Sequence, residues 1–227
     1  MPDAKSNRVV WIDLEMTGLD PTRDEIVEIA AIVTDGELVE LDEGVSYVVR
    51  PSDLALLDGM EDVVTTMHTE SGLLPEIPGG ISVAEAGAAV LEYVRSHVPD
   101  PGRAPLAGSS VYVDRGFLSR YLPDLDAHLH YRLIDVSTIK ELSRRWFPRA
   151  YFNAPTKTGG HRALADIRES IAELRYYRQT VFVPLPGPTS EEARTAATQH
   201  VVDHGPAAAQ PEATSTPTPS DPDLAVG

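Results

Sequence analysis

Three strand-like runs at the start of the chain limit the folds that it can adopt more than any other feature does. Residues 9–15 and 26–34 are short, apolar and rich in β-branched side chains, and only Glu28 interrupts the second run. Asp35 and Gly36 form a typical hairpin turn before a third strand over residues 38–49. The chain is therefore expected to open with an antiparallel sheet of three strands.

Helical periodicity follows this sheet. Ser82 and Glu85 form a capping box, and apolar residues recur at helical spacing from there to about His97. The further predicted elements, in chain order, are a strand over 105–109, a helix over 114–121, a strand over 132–136, a helix that begins at Thr138 with Glu141 in a second capping box, and a helix over 164–179. Helices that alternate with strands predict an α/β fold, in which helices flank both faces of a mixed five-stranded sheet.

The composition of the chain changes at Pro184. Residues 184–227 contain eight of the 19 prolines, six acidic residues against one arginine, and no aromatic residue. A segment of this kind cannot bury enough apolar surface to offset the conformational entropy that it loses on ordering. We therefore predict one compact domain over residues 1–183 and a disordered tail over residues 184–227.

Charge and cysteine content exclude several classes of protein. The 227 residues carry 19 basic and 35 acidic side chains, a formal net charge of −16, and so acidic a chain binds long or duplex nucleic acid poorly. The absence of cysteine excludes disulfide scaffolds and thiolate chemistry. The sequence shows neither a signal peptide nor the ~20 apolar residues that a membrane span needs, so we expect a cytoplasmic protein with no membrane partner.

One part of this acidic chain is basic. Residues 140–168 contain seven lysine or arginine side chains and only two acidic ones, Glu141 and Asp166. A local basic patch on a repulsive surface favours a ligand with one or two phosphates over a long strand. Alternatively, these bases form an ordinary solvated face or pair with acids in the folded chain.

Two acidic side chains stand at the end of the first predicted strand. Because strand side chains alternate between the faces of a sheet, Asp13 and Glu15 project from the same face, about 6.6 Å apart along the chain. Two carboxylates there repel each other and lose hydration unless a cation is present, and Mg²⁺ and Mn²⁺ prefer such oxygen ligands. Alternatively, the strand end reaches solvent and both acids are ordinary surface residues.

Three further residues point to the same chemistry. Asp114 lies at a predicted strand-to-helix turn, where α/β sheets place ligands, although a helix N-cap is a common alternative. His161 follows two glycines, and Asp166 lies just inside the last helix; the alternatives are a loop histidine and a first-turn acid favoured by the helix dipole. Together, four carboxylates and one histidine suit two-metal phosphoryl transfer, with the histidine as the base that takes a proton from water.

At these residues the chain resembles a known family. Its motifs are VVWIDLEMTGLDPTRDEIVEIAAIVTD over residues 9–35, HYRLIDVST within residues 108–146, and GGHRALADIRES within residues 159–178. They are similar, over about residues 8–180, to the oligoribonuclease family of the exonuclease superfamily with the Asp-Glu-Asp-Asp-His signature. The resemblance implies a ribonuclease H-like fold and a homodimer. It also implies 3′→5′ hydrolysis of very short RNAs, chiefly dinucleotides, to 5′-mononucleotides with two Mg²⁺ or Mn²⁺ ions.

The resemblance also implies roles for individual residues. The residues that match its catalytic machinery are Asp13, Glu15, Asp114 and Asp166 as metal ligands and His161 as general base. The residues that match its substrate-binding groups are Leu19 as a wedge between two bases, His68, Ser110, Arg132 and Ser137 around the 5′ phosphate, and Tyr131 contributed across the dimer. Each of the substrate-binding residues also has an ordinary structural explanation, such as a core position for Leu19 and a helix cap for Ser137.

The chain departs from the family pattern at one place. Many members carry a tryptophan before the His68 segment that stacks on a base, whereas residues 60–67 contain no aromatic side chain here. Val63 or Val64 stands in its place. Because base stacking contributes ~1–3 kcal/mol, we expect weaker affinity unless Leu19 or Met60 supplies the contact.

Two other functions remain open on the sequence alone. A proofreading or tRNA-trimming exonuclease shares the acidic residues but acts on longer 3′ ends in a broader groove. A binding module for short nucleotides needs neither metal ions nor turnover, and the complete set of acids beside His161 argues against it.

Overall fold

A mixed sheet of five strands forms the centre of the fold. The structure is a computed structural model that describes residues 7–156 and 160–205. The strands are β1 (Val9–Met16), β2 (Ile26–Thr34), β3 (Val45–Val48), β4 (Pro105–Gly108) and β5 (His130–Asp135). They are arranged in the order β3-β2-β1-β4-β5, with β1–β2 and β2–β3 antiparallel and β1–β4 and β4–β5 parallel. This sheet confirms the predicted α/β architecture.

Helices cover both faces of the sheet. The helices are α1 (Ala55–Asp58), α2 (Asp62–Glu70), α3 (Val83–His97), α4 (Tyr112–Tyr121), α5 (Pro123–His128), α6 (Val136–Trp146), α7 (Pro148–Phe152), α8 (Ala163–Thr180) and α9 (Ser190–His204), and a 3₁₀ turn spans Ile77–Gly79. The capping box of Ser82 and Glu85 begins α3 as predicted. Within the described residues, no helix is both long and apolar enough to cross a membrane.

The alternation of side chains along β1 separates two apolar layers. Val10 and Ile12 pack into a layer with α3 and α4, whereas Val9 and Trp11 pack into the opposite layer with α6 and α8. Strand side chains repeat with a period of two, so Asp13 continues the Val9–Trp11 side. The acidic end of β1 therefore lies on the face of the sheet that α8 covers.

The third strand and the sixth helix differ from their predicted bounds. Strand β3 has four residues instead of twelve, because Asp35 and Asp42 each accept a hydrogen bond from the backbone two residues further on and form turns before it. Helix α6 begins at Val136 rather than at Thr138, with Asp135 as its N-cap. The short helices between the larger elements were not predicted, since four to six residues give no readable periodicity.

The C-terminal segment also differs from its prediction. The chain divides into two compact units between Phe182 and Val183. Within the second unit, Thr189 and Glu192 form a capping box at the start of α9, so the prediction of disorder is wrong over Ser190–His204. The described side chains of α9 are exposed, and local helical propensity rather than burial accounts for this helix. Residues 206–227 of the predicted tail lie outside the described residues.

Candidate active site

A buried carboxylate at the end of β1 faces a second buried carboxylate in β2. Glu15 is only 7% exposed, and it lies directly opposite Glu28 in the antiparallel pairing of β1 with β2. Glu28 is itself buried, and Asp13 lies one side-chain repeat before Glu15 on the same face of β1. The interpretation of Asp13 and Glu15 as ordinary surface acids is therefore wrong for Glu15, which solvent barely reaches.

Asp114 joins these acids from the first turn of α4. The parallel pairing of β1 with β4 ends at Trp11 and Ala107, so Leu14 lies beyond the last paired residue of β1. The backbone N–H of Leu14 instead donates a hydrogen bond of 3.0 Å to Oδ1 of Asp114. This bond places a third buried carboxylate beside β1, at the strand-to-helix turn where the sequence predicted it.

The start of α8 completes the cluster. Glu15, His161 and Asp166 each have a potential ligand atom that lies within 4.8 Å of those of the other two. Asp166 lies in the first turn of α8, and His161 is exposed just before it, with a left-handed backbone (φ 46°) that is unusual for a residue other than glycine. Residues 157–159, which include Lys157 and the first glycine of the predicted flexible turn, lie outside the described residues.

Burial and mutual repulsion dominate the electrostatics of these acids. Burial, together with the charges of Asp114, Glu15 and Asp166, raises the pKa of Asp13 well above its usual range. Burial and the neighbouring acids raise the pKa of Glu15 to about 8. Burial also raises the pKa of Asp114 to about 7, although the hydrogen bond from Leu14 acts in the opposite direction. The free carboxylates therefore resist ionisation near neutral pH unless a positive charge compensates them.

This donor set fits divalent cations. Carboxylate oxygens are the ligands that hard ions such as Mg²⁺ and Mn²⁺ prefer, and an imidazole nitrogen is compatible with Mn²⁺. A cation among these side chains would remove both the repulsion and the desolvation penalty that raise their pKa values. The observation that favours such a site is the convergence of the buried acids Glu15 and Asp114 with partly exposed Asp13 and Asp166 and exposed His161.

A pair of serine hydroxyls lies next to this acidic cluster. Ser110 and Ser137 have their Oγ atoms 3.1 Å apart, and Oδ1 of Asp135 accepts the backbone N–H of both residues at 2.9 Å. Ser110 also has a left-handed backbone (φ 55°). Ser110 lies just before α4, whose first turn carries Asp114, so the serine pair is near the acidic cluster. The structure therefore brings together two of the predicted phosphate-binding residues.

The remaining predicted phosphate contacts lie in two different environments. Tyr131 and Arg132 are exposed on β5, with the Arg132 guanidinium carbon 5.5 Å from the centre of the Tyr131 ring. His68 is fully buried in α2, where its Nε2 lies 2.9 Å from the carbonyl oxygen of Met16 and its Nδ1 lies 3.8 Å from Oε2 of Glu15. His68 therefore approaches the acidic cluster from the protein interior.

Leu19 lies at the rim of a cavity rather than in the core. It is 75% exposed and lines a cavity of about 530 Å³ together with Arg23, Val63 and Val64. Val63, one of the two valines predicted to stand in place of the family's aromatic residue, is 68% exposed. The two apolar side chains thus offer surface for a base without a stacking ring.

The predicted basic patch is largely neutralised in the folded chain. Lys140 pairs with Glu173 at 3.2 Å, and Arg168 pairs with Glu40 at 3.3 Å. Arg144 and Arg145 both pair with Glu141. The alternative that these bases pair with acids in the fold is therefore confirmed for these residues, and the patch is not a free binding surface there.

Sequence reasoning missed the side chains that support the site. Glu28 accepts hydrogen bonds from Arg162 and from the backbone of Ala163, and Asp135 holds the two serines. Glu28 gave a signal, because it is the only charge in an otherwise apolar strand. Arg162 gave none, since the residue that it contacts lies 134 positions away in the chain.

We predict that the metal-free protein loses stability as the pH rises from about 5 to 8. The folded pKa values of Glu15 and Asp114, about 8 and about 7, exceed their usual values of 4.5 and 3.8. The folded state therefore binds more protons than the unfolded state in this range, and the free energy of unfolding falls with rising pH. Cations replace these protons, so Mn²⁺ should raise the melting temperature of EDTA-treated protein more at pH 8 than at pH 5.

The control for this measurement is the double variant Glu15→Gln, Asp114→Asn. It lacks two of the titrating carboxylates, so both its pH dependence and its response to Mn²⁺ should be smaller than in the unaltered chain. Equal Mn²⁺ shifts in the two proteins would contradict the assignment of the cation site.

The matches to solved structures support the fold. The metal-free form of an Escherichia coli exonuclease I complex with single-stranded DNA superposes with a TM-score of 0.58 at 16% identity, over 77% of this chain and 40% of that one. The zinc-bound form of the same complex gives a TM-score of 0.57 at 16% identity, over 76% of this chain and 40% of that one. This chain therefore spans about two fifths of the exonuclease I chains, and the likeness confirms a ribonuclease H-like exonuclease fold.

Sequence comparison is more specific. The model of the exonuclease family matches residues 10–174. An oligoribonuclease of Streptomyces avermitilis is 61% identical over 87% of this chain and 98% of its own length, and one of Streptomyces coelicolor is 61% identical over 88% and 100%. An oligoribonuclease of Mycobacterium bovis is 55% identical over 82% and 86%. The chain therefore belongs to the oligoribonuclease family of exonucleases.

Proposed function

We propose that this chain is a metal-dependent 3′→5′ exoribonuclease that hydrolyses very short RNAs, chiefly dinucleotides, to 5′-mononucleotides. The observation that carries the proposal is the convergence of Asp13, Glu15, Asp114 and Asp166 with His161 at one end of the sheet. Family membership over nearly the whole first unit supports the same activity. We further propose that the reaction takes place in the cytoplasm.

The four carboxylates would hold two divalent cations, Mg²⁺ or Mn²⁺. When bound, such ions activate water and stabilise the charge that develops on the scissile phosphate. His161 accepts the proton of the attacking water at a ring nitrogen, and its exposed position before α8 lets the ring approach the substrate from solvent. Asp114 is fixed for its role because the N–H of Leu14 orients its carboxylate.

The serine pair would bind the 5′ phosphate of the substrate. Ser110 and Ser137 present two hydroxyls side by side. Arg132 of the same protomer and Tyr131 of the partner subunit would close the site. Ser110 lies two residues before α4, and Asp114 lies in the first turn of that helix, so only a short stretch of chain separates the serine pair from the acidic cluster. A substrate held at both points would therefore be short. For His68, which is buried, the family resemblance alone supports a phosphate contact.

The cavity beside Leu19 would receive a base. Leu19 is exposed enough to insert between two bases. Val63 lines the same cavity and would add an apolar surface where no aromatic side chain is present in this segment. Dispersion contacts of this kind do not depend on base identity. We therefore propose binding of dinucleotides with little base preference.

We predict that Asp114→Asn abolishes turnover while the fold survives. The asparagine oxygen can still accept the N–H of Leu14, so no buried donor is left unpaired, whereas one anionic ligand is lost. The measurement is release of mononucleotides from a labelled diribonucleotide and from a seven-nucleotide RNA, with Mn²⁺ and with EDTA. The unaltered chain should cleave the dinucleotide faster and only with the metal ion.

The same assay separates the competing functions. Faster cleavage of the seven-nucleotide RNA would favour an exonuclease that trims longer 3′ ends. Binding of the dinucleotide in EDTA without mononucleotide release in Mn²⁺ would favour a binding module. Normal turnover by Asp114→Asn, with an unchanged melting temperature, would refute its assignment as a metal ligand.

We predict that Ser137→Ala weakens binding of substrates with a 5′ phosphate. Loss of one hydroxyl removes a hydrogen bond to a charged group, which contributes about 1.5–3 kcal/mol, so KM should rise about tenfold or more. The backbone N–H of residue 137 still caps α6 through Asp135, so stability should hardly change. A dinucleotide without the 5′ phosphate is the control, because its KM should be the same for both proteins.

We also propose that the chain acts as a homodimer. An apolar groove of about 160 Å³ lies between α6 and the end of α8, with Trp146, Phe147 and Phe182 in its lining. Trp146 is 66% exposed, and Tyr131 is 74% exposed on β5, the edge strand of the sheet. Exposed aromatic groups and the open edge of a sheet are both typical of a surface that another chain covers.

Trp146→Ala should therefore shift the chain from dimer to monomer in sedimentation analysis. Activity should fall with the dimer, because Tyr131 of one protomer would complete the site of the other. Val39→Ala, which shortens an exposed apolar side chain outside the groove lining, serves as the control and should leave the mass unchanged. A monomeric unaltered chain with full activity would contradict the proposal.

A further inference from the structure

A buried carboxylate in β2 connects several parts of the fold to the start of α8. Glu28 is 1% exposed, and its Oε2 accepts the backbone N–H of Ala163 at 3.1 Å. Its Oε1 accepts the hydroxyl of Ser46 in β3 at 3.1 Å and the Nε of Arg162 at 3.2 Å. This single side chain therefore links β2, β3 and the residues at which α8 begins.

Arg162 extends this link to a second carboxylate. Its guanidinium lies between Glu28 and Glu76, with Nη2 3.1 Å from Oε1 of Glu28 and 3.0 Å from Oε2 of Glu76. Glu76 directly precedes the 3₁₀ turn that follows α2. The arginine is about one third exposed, so the pair with buried Glu28 is better shielded from solvent than the pair with half-exposed Glu76.

The arrangement replaces the ordinary N-cap of α8. Arg162 occupies the N-cap position with an extended backbone and gives no side-chain cap bond of its own. The carboxylate of Glu28 takes over this function from another strand, by accepting the N–H of Ala163. His161 lies two residues before Ala163, and Asp166 lies about one helical turn after it. The hydrogen bond from Ala163 to Glu28 therefore fixes the backbone that carries both side chains.

We infer that Glu28 and Arg162 are positioning residues, which hold His161 and Asp166 in register with the acids of β1 and contact neither the substrate nor its phosphates. The inference rests on the proposed function. The competing role for Arg162 is direct phosphate binding, as part of the basic patch. That role is disfavoured because its guanidinium already lies between two carboxylates, whose combined negative charge exceeds its own.

The test compares Arg162→Ala with Arg168→Ala. Arg168 lies in α8 and also pairs with a carboxylate, that of Glu40, and its guanidinium donates to the carbonyl oxygen of Glu43 rather than to Glu28. Arg162→Ala should lower kcat on a diribonucleotide about 10- to 100-fold, since small displacements of catalytic groups have effects of this size, and should leave KM within about twofold. Arg168→Ala should change neither constant, and Arg162→Lys should restore part of kcat.

A second readout does not depend on activity. Hydrogen exchange of the peptide that covers His161 to Ile167 should become faster in Arg162→Ala, because the Glu28 cap of α8 is weakened, and should remain unchanged in Arg168→Ala. In a double-mutant cycle with Glu28→Gln, the two losses of kcat should not multiply, since both variants break the same contact. Arg168→Ala, by contrast, should add no further loss of kcat when it is combined with Arg162→Ala.

Several results would overturn the inference. An Arg162→Ala chain with unchanged kcat and unchanged exchange shows that the contact positions nothing. A raised KM with unchanged kcat shows that Arg162 binds substrate. Equal losses in Arg162→Ala and Arg168→Ala show a general effect on stability. A wild-type chain that is inactive on the dinucleotide contradicts the proposed function instead, and the exchange measurement still decides whether Glu28 and Arg162 anchor α8.

Discussion

Repulsion among buried carboxylates is the interaction around which the rest of the structure is organised. Side chains alternate along β1, so Val9, Trp11, Asp13 and Glu15 project from the same face. Val9 and Trp11 pack into an apolar layer, and Asp13 and Glu15 lie at the edge of that layer. Burial is thus imposed on these acids by the strand that forms the core. Charges in such a position are tolerated only when protons or cations compensate them. A site for cations is therefore a consequence of how β1 is packed against the helices that cover this face of the sheet.

The parts of this arrangement that follow from local rules could be predicted from the sequence. Alternation along a strand places Asp13 and Glu15 on one face, and a strand-to-helix turn places Asp114 at the same end of the sheet. The capping box of Ser82 and Glu85 predicted the start of α3 for the same reason, since all of its atoms lie within four residues. Each of these inferences needed only spacing within one element and the direction of the strands.

The parts that depend on distant partners could not be predicted. Glu28 looked like an interruption of an apolar strand, and only the fold shows that Arg162 and Ala163 meet it. The bases of residues 140–168 looked like a patch because their acidic partners, such as Glu40 and Glu173, lie elsewhere or on another turn. In α9 the reverse occurred, because low hydrophobicity predicted disorder whereas a local capping box and good helix formers sufficed for a helix.

Two strained residues flank the site, and the fold fixes both in the same way. Ser110 and His161 adopt left-handed backbones that cost of order 1–3 kcal/mol for a residue other than glycine. Next to each, a carboxylate accepts backbone N–H groups: Asp135, the N-cap of α6, bonds Ser110 and Ser137, and Glu28 of β2 bonds Ala163 at the start of α8. A helix end is a point where unpaired N–H donors make such a bond strong. Two carboxylates outside the acidic cluster therefore fix the backbone on which the serine pair and His161 stand, so negative charge in this chain also serves to anchor helix ends.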